Sequence, residues 1–312
     1  MGNLKNKHLI GLEDTPVIDI NKLIDTGFMF REVLDRPIKK VPSLNGKNVV
    51  NLFFENSTRT RISFELAEKR LSADVTNFSK SSSSVSKGES LKDTVQNIHA
   101  MKMDCVVMRH PSPGSCKQLE KYVDAVIINA GDGTHEHPSQ ALLDIMSLKE
   151  KFGKIKGLKI GIIGDILHSR VALSNIHGLL KLGAEVTLCG PNHLMPIGIH
   201  ELGVNINSNV DEVIDWADAL NVLRIQRERM GIGIIPSIRE YRDYFGITKE
   251  RLDRSNKEIV IMHPGPMNRG VEIDSCVADG NQAIILDQVL NGVAIRMSIL
   301  YLLLGPDKGD LI

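Results

Sequence analysis

Three hydroxyl side chains and two arginines stand together at positions 57–61, where the sequence reads STRTR. An apolar run precedes them and a segment with helical spacing follows, which predicts that Ser57, Thr58, Arg59 and Thr60 occupy a strand-to-helix turn. The first turn of a helix offers unpaired amides and the positive end of the dipole, and an arginine adds a planar pair of donors. These residues predict a phosphate or oxyanion site, and ordinary helix capping by Ser57 or Thr58 is the alternative.

Two further groups of polar residues follow predicted strands in the first half of the chain. Arg109 comes directly after one of them, where either a ligand contact or a surface salt bridge would suit an arginine. His135, Glu136 and His137 follow another and allow two interpretations. They could bind a metal, although no HExxH pattern or suitably spaced third ligand accompanies them. Alternatively, His137 donates to a ligand carbonyl and Gln140, one helical turn on, faces the same ligand.

The second half of the chain carries polar turns of the same kind. Gly161 and Gly164 suggest a nucleotide fold, but the GxGxxG pattern is incomplete, which disfavours dinucleotide binding. Asp165, His168, Ser169 and Arg170 stand instead at the strand-to-helix turn, and Arg224 and Gln226 follow a later strand. The segment MHPGPMNRG at positions 262–270 is a turn rich in proline and glycine, whose backbone could approach a ligand closely.

The elements that must position these residues are short apolar strands alternating with amphipathic helices. The predicted strands are Val49–Phe54, Cys105–Met108, Ala125–Asn129, Lys159–Gly164, Ala184–Cys189, Ala219–Leu223 and Ile259–Met262. Most are continuously apolar, as strands covered on both faces should be. The pattern predicts an α/β protein with two doubly wound parallel-sheet domains, helices on both faces and interdomain helices that join them. The polar segment KEKFGKIKG at 149–157 predicts a boundary near residue 150. The expected domains are residues 1–150 with a C-terminal helix at 292–312, and residues 151–291.

Composition limits the classes of function. The 312 residues include 38 basic and 38 acidic side chains and only 4% aromatic residues, so neither bulk positive charge nor base stacking favours nucleic-acid binding. No run reaches the roughly 18 apolar residues of a membrane span, and the N-terminus has no apolar signal region. Four dispersed cysteines without a CxxC pair fit reduced thiols. These features predict a cytoplasmic protein that binds neither nucleic acid nor membrane and holds no metal.

At these motifs the chain resembles the aspartate/ornithine transcarbamylase family over nearly its whole length. The resemblance rests on FFENSTRTRISFE, SSSSVSKGESLKDT, VMRHP, DGTHEHPSQALLD, GDILHSRVALSN, LRIQRER and HPGPMNRGVEI, in the expected order. The STRTR and HPxQ segments mark the family in general, whereas LRIQ and HPGPMNRGVEI point to its aspartate-specific members. Asn56 stands where the family usually has proline, and Ser139 replaces a common threonine.

The resemblance implies a role for each of these residues. The implied carbamoyl phosphate site comprises Ser57, Thr58, Arg59, Thr60, Ser83, Arg109, His137, Gln140, Gly265 and Pro266, and the implied aspartate site comprises Lys87, Arg170, Arg224 and Gln226. Arg59, Thr60 and His137 would be catalytic, through hydrogen bonds to the carbonyl oxygen. The first domain would bind carbamoyl phosphate and the second aspartate.

The implied reaction transfers the carbamoyl group from carbamoyl phosphate to the α-amine of L-aspartate, an early step of pyrimidine biosynthesis, without a cofactor. The implied partner is a second copy of the chain, because Ser83 and Lys87 would come from a neighbouring subunit of a homotrimer. No zinc-binding pattern of a regulatory chain is present, so any such regulation would require a separate polypeptide. The alternatives are a transcarbamylase for another amine such as ornithine, a nucleotide-dependent oxidoreductase and a non-catalytic oligomer partner.

Overall fold

The computed structural model describes residues 4–79, 89–226, 237–255 and 257–305. Contacts divide the chain into two compact units, Met1–Met146 with Leu290–Ile312, and Ser147–Val289. Both divisions fall inside helices, Pro138–Phe152 and Ile285–Leu304, rather than in loops.

The first unit is built on a parallel sheet. In chain order its elements are α1 (Val17–Leu34), β1 (Asn48–Phe53), α2 (Thr58–Arg70), β2 (Asp74–Ser79), α3 (Leu91–Ala100), β3 (Cys105–His110), α4 (Ser115–Leu119), β4 (Val126–Asp132) and the start of α5 (Pro138–Phe152). The strand order is β2-β1-β3-β4, with every described pair parallel. The winding direction reverses between β1 and β3, which is where open α/β sheets place ligands.

The second unit repeats this plan with a larger sheet. Its elements after α5 are β5 (Lys159–Ile163), α6 (Arg170–Lys181), β6 (Glu185–Cys189), β7 (Asn205–Ile206), α7 (Val210–Trp216), β8 (Ala219–Val222), α8 (Ile238–Phe245), α9 (Lys249–Ser255), β9 (Val260–Met262), α10 (Ser275–Ala278) and α11 (Ile285–Leu304). The strand order is β7-β6-β5-β8-β9, again parallel. Here the winding reverses between β5 and β8.

The apolar runs of the sequence form the cores of the two units. In the first unit, strand residues such as Val106 and Met108 pack with Val95 of α3 and Leu119 of α4, all without exposed surface. In the second, Val213 of α7 packs with Leu220 of β8 in a cluster that includes Ile163. Burying each such side chain contributes roughly 1.5 to 3 kcal/mol. The parallel strand orders of both sheets, together with these cores, confirm the prediction of doubly wound parallel sheets.

Gly161 within β5 and Gly164 directly after it have packing roles. A Cβ at Gly161 would lie 2.8 Å from both Leu220 Cδ2 and Val213 Cγ1, so glycine allows α7 and β8 to approach the strand closely. Gly164 has φ +129°, and its Cβ would lie 3.1 Å from the carbonyl oxygen of Leu223. These contacts account for the two glycines without a dinucleotide.

Among the described residues one helix, α11, is long and apolar enough to cross a membrane by length and composition. Within its most apolar stretch, 67% of the residues are buried inside the protein. Core helices of the same length pass this test, so the finding is weak evidence for a span.

A buried carboxyl group in the first unit couples stability to pH. Glu68 of α2 has no exposed surface and accepts a hydrogen bond of 2.8 Å from Asn51 Nδ2 of β1. Burial raises the pKa of Glu68 to about 8, although the bond from Asn51 opposes the shift. The folded state thus retains a proton that the unfolded chain releases near pH 4.5.

Glu68→Gln is expected to stabilise the protein at pH 8 more than at pH 5. Because the folded pKa is raised, the contribution of Glu68 to stability falls as pH rises from about 4.5 to about 8, by at most about 1.4 kcal/mol per pH unit. Glutamine is neutral throughout and removes this slope. Chemical denaturation of both proteins at pH 5, 6.5 and 8 measures the difference. Glu250→Gln, on the exposed face of α9, is the control. An equal effect of Glu68→Gln at all three pH values would contradict the expectation.

Candidate functional site

The turn between β1 and α2 carries the first group of predicted site residues. Ser57 occupies the N-cap position of α2, with φ −154°, yet its side chain makes no capping hydrogen bond. The structure therefore does not support the interpretation of Ser57 as an ordinary cap. Thr58 and Arg59 are exposed, whereas Thr60 is buried. The turn presents hydroxyls, an arginine and helix amides in one place, which is an arrangement suited to an oxyanion.

Arg109 meets this turn from the neighbouring strand. Since Phe53 of β1 pairs with Arg109 of β3, the arginine lies beside the start of α2. Its Nη1 is 3.4 Å from Thr60 Oγ1 and 3.3 Å from the carbonyl oxygen of Ala130. Its Nε is 3.3 Å from Glu55 Oε2, so Arg109 also forms the salt bridge that the alternative interpretation expected. The carboxylate of Glu55 thereby holds the guanidinium next to Thr60.

The segment from β4 into α5 brings His137 and Gln140 to the same edge of the sheet, because β4 lies parallel to β3. His137 is 4% exposed and stands just before α5, with its Nδ1 3.5 Å from Ser139 Oγ. Gln140 lies in the first turn of α5, and its Nε2 donates to Asp144 Oδ1 over 2.9 Å. Both side chains are nearly buried and can direct polar atoms at a ligand beyond the strand ends.

The two residues that precede His137 have structural partners. Glu136 Oε2 accepts from the Leu12 amide over 2.7 Å and Oε1 from the Glu13 amide over 3.0 Å, so this carboxylate anchors the N-terminal segment. His135 Nδ1 lies 3.2 Å from Asp132, and the hydrogen bond to Asp132 raises the pKa of His135. Burial pushes the pKa of Asp132 upward, but hydrogen bonds, chiefly from His135, outweigh burial and lower it.

In the second unit, the loops after β5 and β8 are joined at the reversal point of the sheet. Ser169 caps α6 by accepting from the Ala172 amide, and Arg170, the first residue of α6, is 4% exposed. His168 Nδ1 lies 2.9 Å from Asp165 Oδ1, which holds the first loop. Gln226 Nε2 donates to the carbonyl oxygen of His168 over 3.2 Å. This bond places Gln226 against the turn that begins with Asp165 and ends with Arg170.

The third loop of this unit, after β9, is fixed from within. His263 Nδ1 accepts from the Gly265 amide over 2.8 Å, and its Nε2 lies 3.3 Å from Glu272 Oε1. Since Nδ1 accepts, the proton of the neutral ring is on Nε2 and is donated to the carboxylate. Asn268 Nδ2 donates to the carbonyl oxygen of Ile225 over 3.3 Å, which ties this loop to the one that carries Arg224 and Gln226. The backbone at Gly265 and Pro266 is held by these bonds.

The structure thus assembles the predicted site residues in two groups, one in each unit. The first group comprises Ser57, Thr58, Arg59, Thr60, Arg109, His137 and Gln140, and the second comprises Arg170, Arg224, Gln226, Gly265 and Pro266. Ser83 and Lys87 lie outside the described residues. Sequence reasoning missed the carboxylates Glu55, Asp144 and Glu272, which hold Arg109, Gln140 and His263. The i, i+4 spacing of Gln140 and Asp144 on a predicted helix was an available signal.

Comparison with known proteins accounts for both units. The family described as "Aspartate/ornithine carbamoyltransferase, carbamoyl-P binding domain" matches residues 7–150, and "Aspartate/ornithine carbamoyltransferase, Asp/Orn binding domain" matches residues 156–303. The chain is 60% identical over 305 residues to the aspartate carbamoyltransferase catalytic subunit of Cytophaga hutchinsonii, covering 98% of this chain and 99% of the relative.

Two solved structures extend the comparison to the fold. Aspartate transcarbamoylase from Trypanosoma cruzi in complex with carbamoyl phosphate superposes with a TM-score of 0.87 at 32% identity and 96% coverage of each chain. Ornithine carbamoyltransferase from Pyrococcus furiosus gives 0.86 at 26% identity, with 99% and 100% coverage. Because the two scores are nearly equal, the fold does not separate the two acceptors. The matched domains, the relatives and the fold together show that the chain belongs to the aspartate/ornithine carbamoyltransferase family.

Proposed function

We propose that the protein transfers the carbamoyl group of carbamoyl phosphate to the α-amine of L-aspartate, which yields N-carbamoyl-L-aspartate and phosphate. The observation that carries the proposal is the oxyanion turn 57–60 at the reversal point of the first sheet, with Arg109 3.4 Å from Thr60. The 60% identical relative is named for the aspartate reaction, which supports this acceptor.

Carbamoyl phosphate is assigned to the first group of residues. Ser57, Thr58, Arg59, Thr60 and Arg109 bind its phosphate through hydroxyls, helix amides and guanidinium groups. Ser83 of a neighbouring subunit is assigned to the same substrate.

The carbamoyl group has its own donors and acceptors. Arg59, Thr60 and His137 donate to the carbonyl oxygen, while the side-chain oxygen of Gln140 and the backbone at Gly265 and Pro266 accept from the amino group. A well-placed donor to a developing oxyanion contributes about 3 to 4 kcal/mol to transition-state stabilisation.

Aspartate is assigned to cationic and amide side chains of the second group. Arg170 and Arg224 bind the two carboxylates, with Gln226 beside them and Lys87 contributed by a neighbouring subunit. Arg170 begins α6, where the positive end of the helix dipole further favours an anion. An ornithine side chain ends in an ammonium group, which Arg224 would repel, so the charges at this loop favour aspartate.

The chemistry needs no covalent enzyme intermediate. The uncharged α-amine attacks the carbonyl carbon, and the tetrahedral intermediate then collapses with loss of phosphate. The departing phosphate accepts the proton of the amine, so no protein base is assigned. Holding the two substrates in contact supplies at best roughly 7 to 11 kcal/mol of the barrier reduction.

The proposal includes a cytoplasmic homotrimer with shared active sites, acting in pyrimidine biosynthesis. Its support is the resemblance of the segment SSSSVSKGESLKDT, which contains Ser83 and Lys87, to the family loop that enters a neighbouring subunit's site. Light scattering should give a particle mass of about three times the 34.5 kDa of one chain. A stable monomer that is fully active would contradict the shared site.

The reaction is tested by product formation from radiolabelled carbamoyl phosphate with aspartate, with ornithine or with no acceptor. Labelled carbamoyl aspartate should form only with aspartate. Transfer to ornithine at a higher rate would replace the proposal with the alternative amine acceptor, and no transfer to either would exclude both.

A further inference from the structure

The amide of Gln140 is oriented by a carboxylate one helical turn away. Gln140 and Asp144 are separated by four residues on α5, so their side chains lie on the same face. Gln140 Nε2 donates to Asp144 Oδ1 over 2.9 Å, in surroundings where Asp144 has no exposed surface. An ionised carboxylate only accepts hydrogen bonds, so the NH₂ group of Gln140 must face it. The amide oxygen is thereby turned away from Asp144.

A buried arginine interacts electrostatically with Asp144. Arg296 of α11 is 4% exposed, and its Nη1 donates to Ser63 Oγ over 3.0 Å and to the Gly292 carbonyl oxygen over 2.9 Å. Burial lowers the pKa of Arg296 to about 10, and the charge of Asp144 opposes this shift. Arg296 is therefore a cation at neutral pH, and its positive charge attracts the carboxylate of Asp144.

We propose that Asp144 is a positioning residue that presents the side-chain oxygen of Gln140 to the amino group of the carbamoyl substrate, and thereby selects carbamoyl phosphate over acyl phosphates that lack an N–H donor. The inference rests on the proposed function of Gln140. Acetyl phosphate carries a methyl group in place of the amino group but keeps the carbonyl and the phosphate. Acetyl phosphate therefore tests the other contacts of the site, and its binding does not depend on the orientation of the Gln140 side-chain amide.

The test compares KM for carbamoyl phosphate with the competitive inhibition constant of acetyl phosphate in wild type and Asp144→Ala. Loss of the anchor should raise KM for carbamoyl phosphate roughly 10-fold, because a correctly placed acceptor is replaced by an amide free to turn. The inhibition constant of acetyl phosphate should change less than about twofold. Gln140→Ala should lower the selectivity similarly, and the double variant Asp144→Ala/Gln140→Ala should lower it no further than Gln140→Ala alone.

Asp144→Ala removes a negative charge that interacts with the buried Arg296, which is expected to lower stability. The variant Asp144→Leu/Arg296→Met removes both charges together and should show the same loss of selectivity. Ser63→Ala, which removes a partner of Arg296 but leaves Gln140 untouched, is the matched control and should keep the wild-type ratio. Equal changes for the two phosphates would show a purely structural role and overturn the inference. Failure of the proposed function is distinguished by the wild-type protein, which would then form no carbamoyl aspartate.

Discussion

Replacing Arg59 with alanine is expected to lower kcat by about 10³-fold or more. Arg59 is assigned both to the phosphate that leaves and to the carbonyl oxygen that becomes negative. Its positive charge would therefore stabilise two developing negative charges in one transition state. Removal of one donor from an oxyanion site typically costs about 10²- to 10³-fold in rate, and the lost contact to phosphate adds to that. Steady-state kinetics with saturating carbamoyl phosphate and aspartate measure the effect.

Arg70→Ala provides the matched control for this variant. Arg70 ends the same helix that Thr58 begins, so the substitution removes a cation from α2 at the end remote from the oxyanion turn. It should leave kcat within about twofold of wild type. A kcat of Arg59→Ala equal to that of wild type would contradict the assignment of Arg59.

The Arg59→Ala variant also tests whether active sites are shared between subunits. Lys87→Ala should also be inactive, and mixed trimers of Lys87→Ala and Arg59→Ala chains should recover part of the activity, because some sites combine an intact Arg59 with a neighbour's intact Lys87. No recovery in trimers verified as mixed would count against shared sites.

The parallel sheets were predictable because a buried strand has a compositional signature. All seven predicted strands are present, each within a few residues of its expected bounds. The two that were missed, β2 and β7, are edge strands in their sheets. β2 reads DVTNFS, in which polar residues interrupt the apolar pattern, and β7 has only two residues. β4 and β9 also end their sheets, yet their apolar runs made them predictable, so the missed strands are those whose apolar pattern is interrupted or too short to recognise.

The grouping of the proposed site residues was predictable because these residues follow the ends of parallel strands. Parallel strands bring their carboxyl ends to one edge, so polar residues after β1, β3 and β4 had to meet there, as had those after β5 and β8. The carboxylates that hold the site could not be assigned in the same way. Asp144, Glu55 and Glu272 act through side-chain contacts whose partners depend on rotamers and on packing, which sequence periodicity does not encode.

The balanced composition does not exclude positive charge at the proposed site residues of each unit. The sequence has 38 basic and 38 acidic residues, but the proposed substrate contacts draw on Arg59, Arg109, Arg170 and Arg224. One acidic group, Glu55, lies 3.3 Å from Arg109. The net charge of the chain therefore argues against partners that bind through bulk electrostatics. The charge of a binding site is set instead by the few residues at the strand ends that form it.

Arg224→Ala is expected to raise KM for aspartate by roughly 10²-fold, because each hydrogen bond to a charged partner contributes about 1.5 to 3 kcal/mol and arginine binds a carboxylate through two. The KM for carbamoyl phosphate should change little, since that substrate is assigned to other residues. Arg224→Lys keeps the charge but loses the planar pair of donors, so it should fall between wild type and alanine. Aspartate titrations at saturating carbamoyl phosphate measure the effect.

Arg254→Ala separates this effect from a general loss of positive charge in the second unit. Arg254 pairs with Glu250 on the exposed face of α9, 3.0 Å apart, and such surface pairs contribute little to stability. Its removal changes the net charge by the same amount as Arg224→Ala and should leave KM for aspartate within about twofold of wild type.

If Arg224→Ala instead lowered kcat and left KM for aspartate unchanged, Arg224 would act on the transition state and its assignment to a substrate carboxylate would be wrong. Binding of ornithine by Arg224→Ala, with the repelling cation removed, would show that this position also contributes to the choice of acceptor.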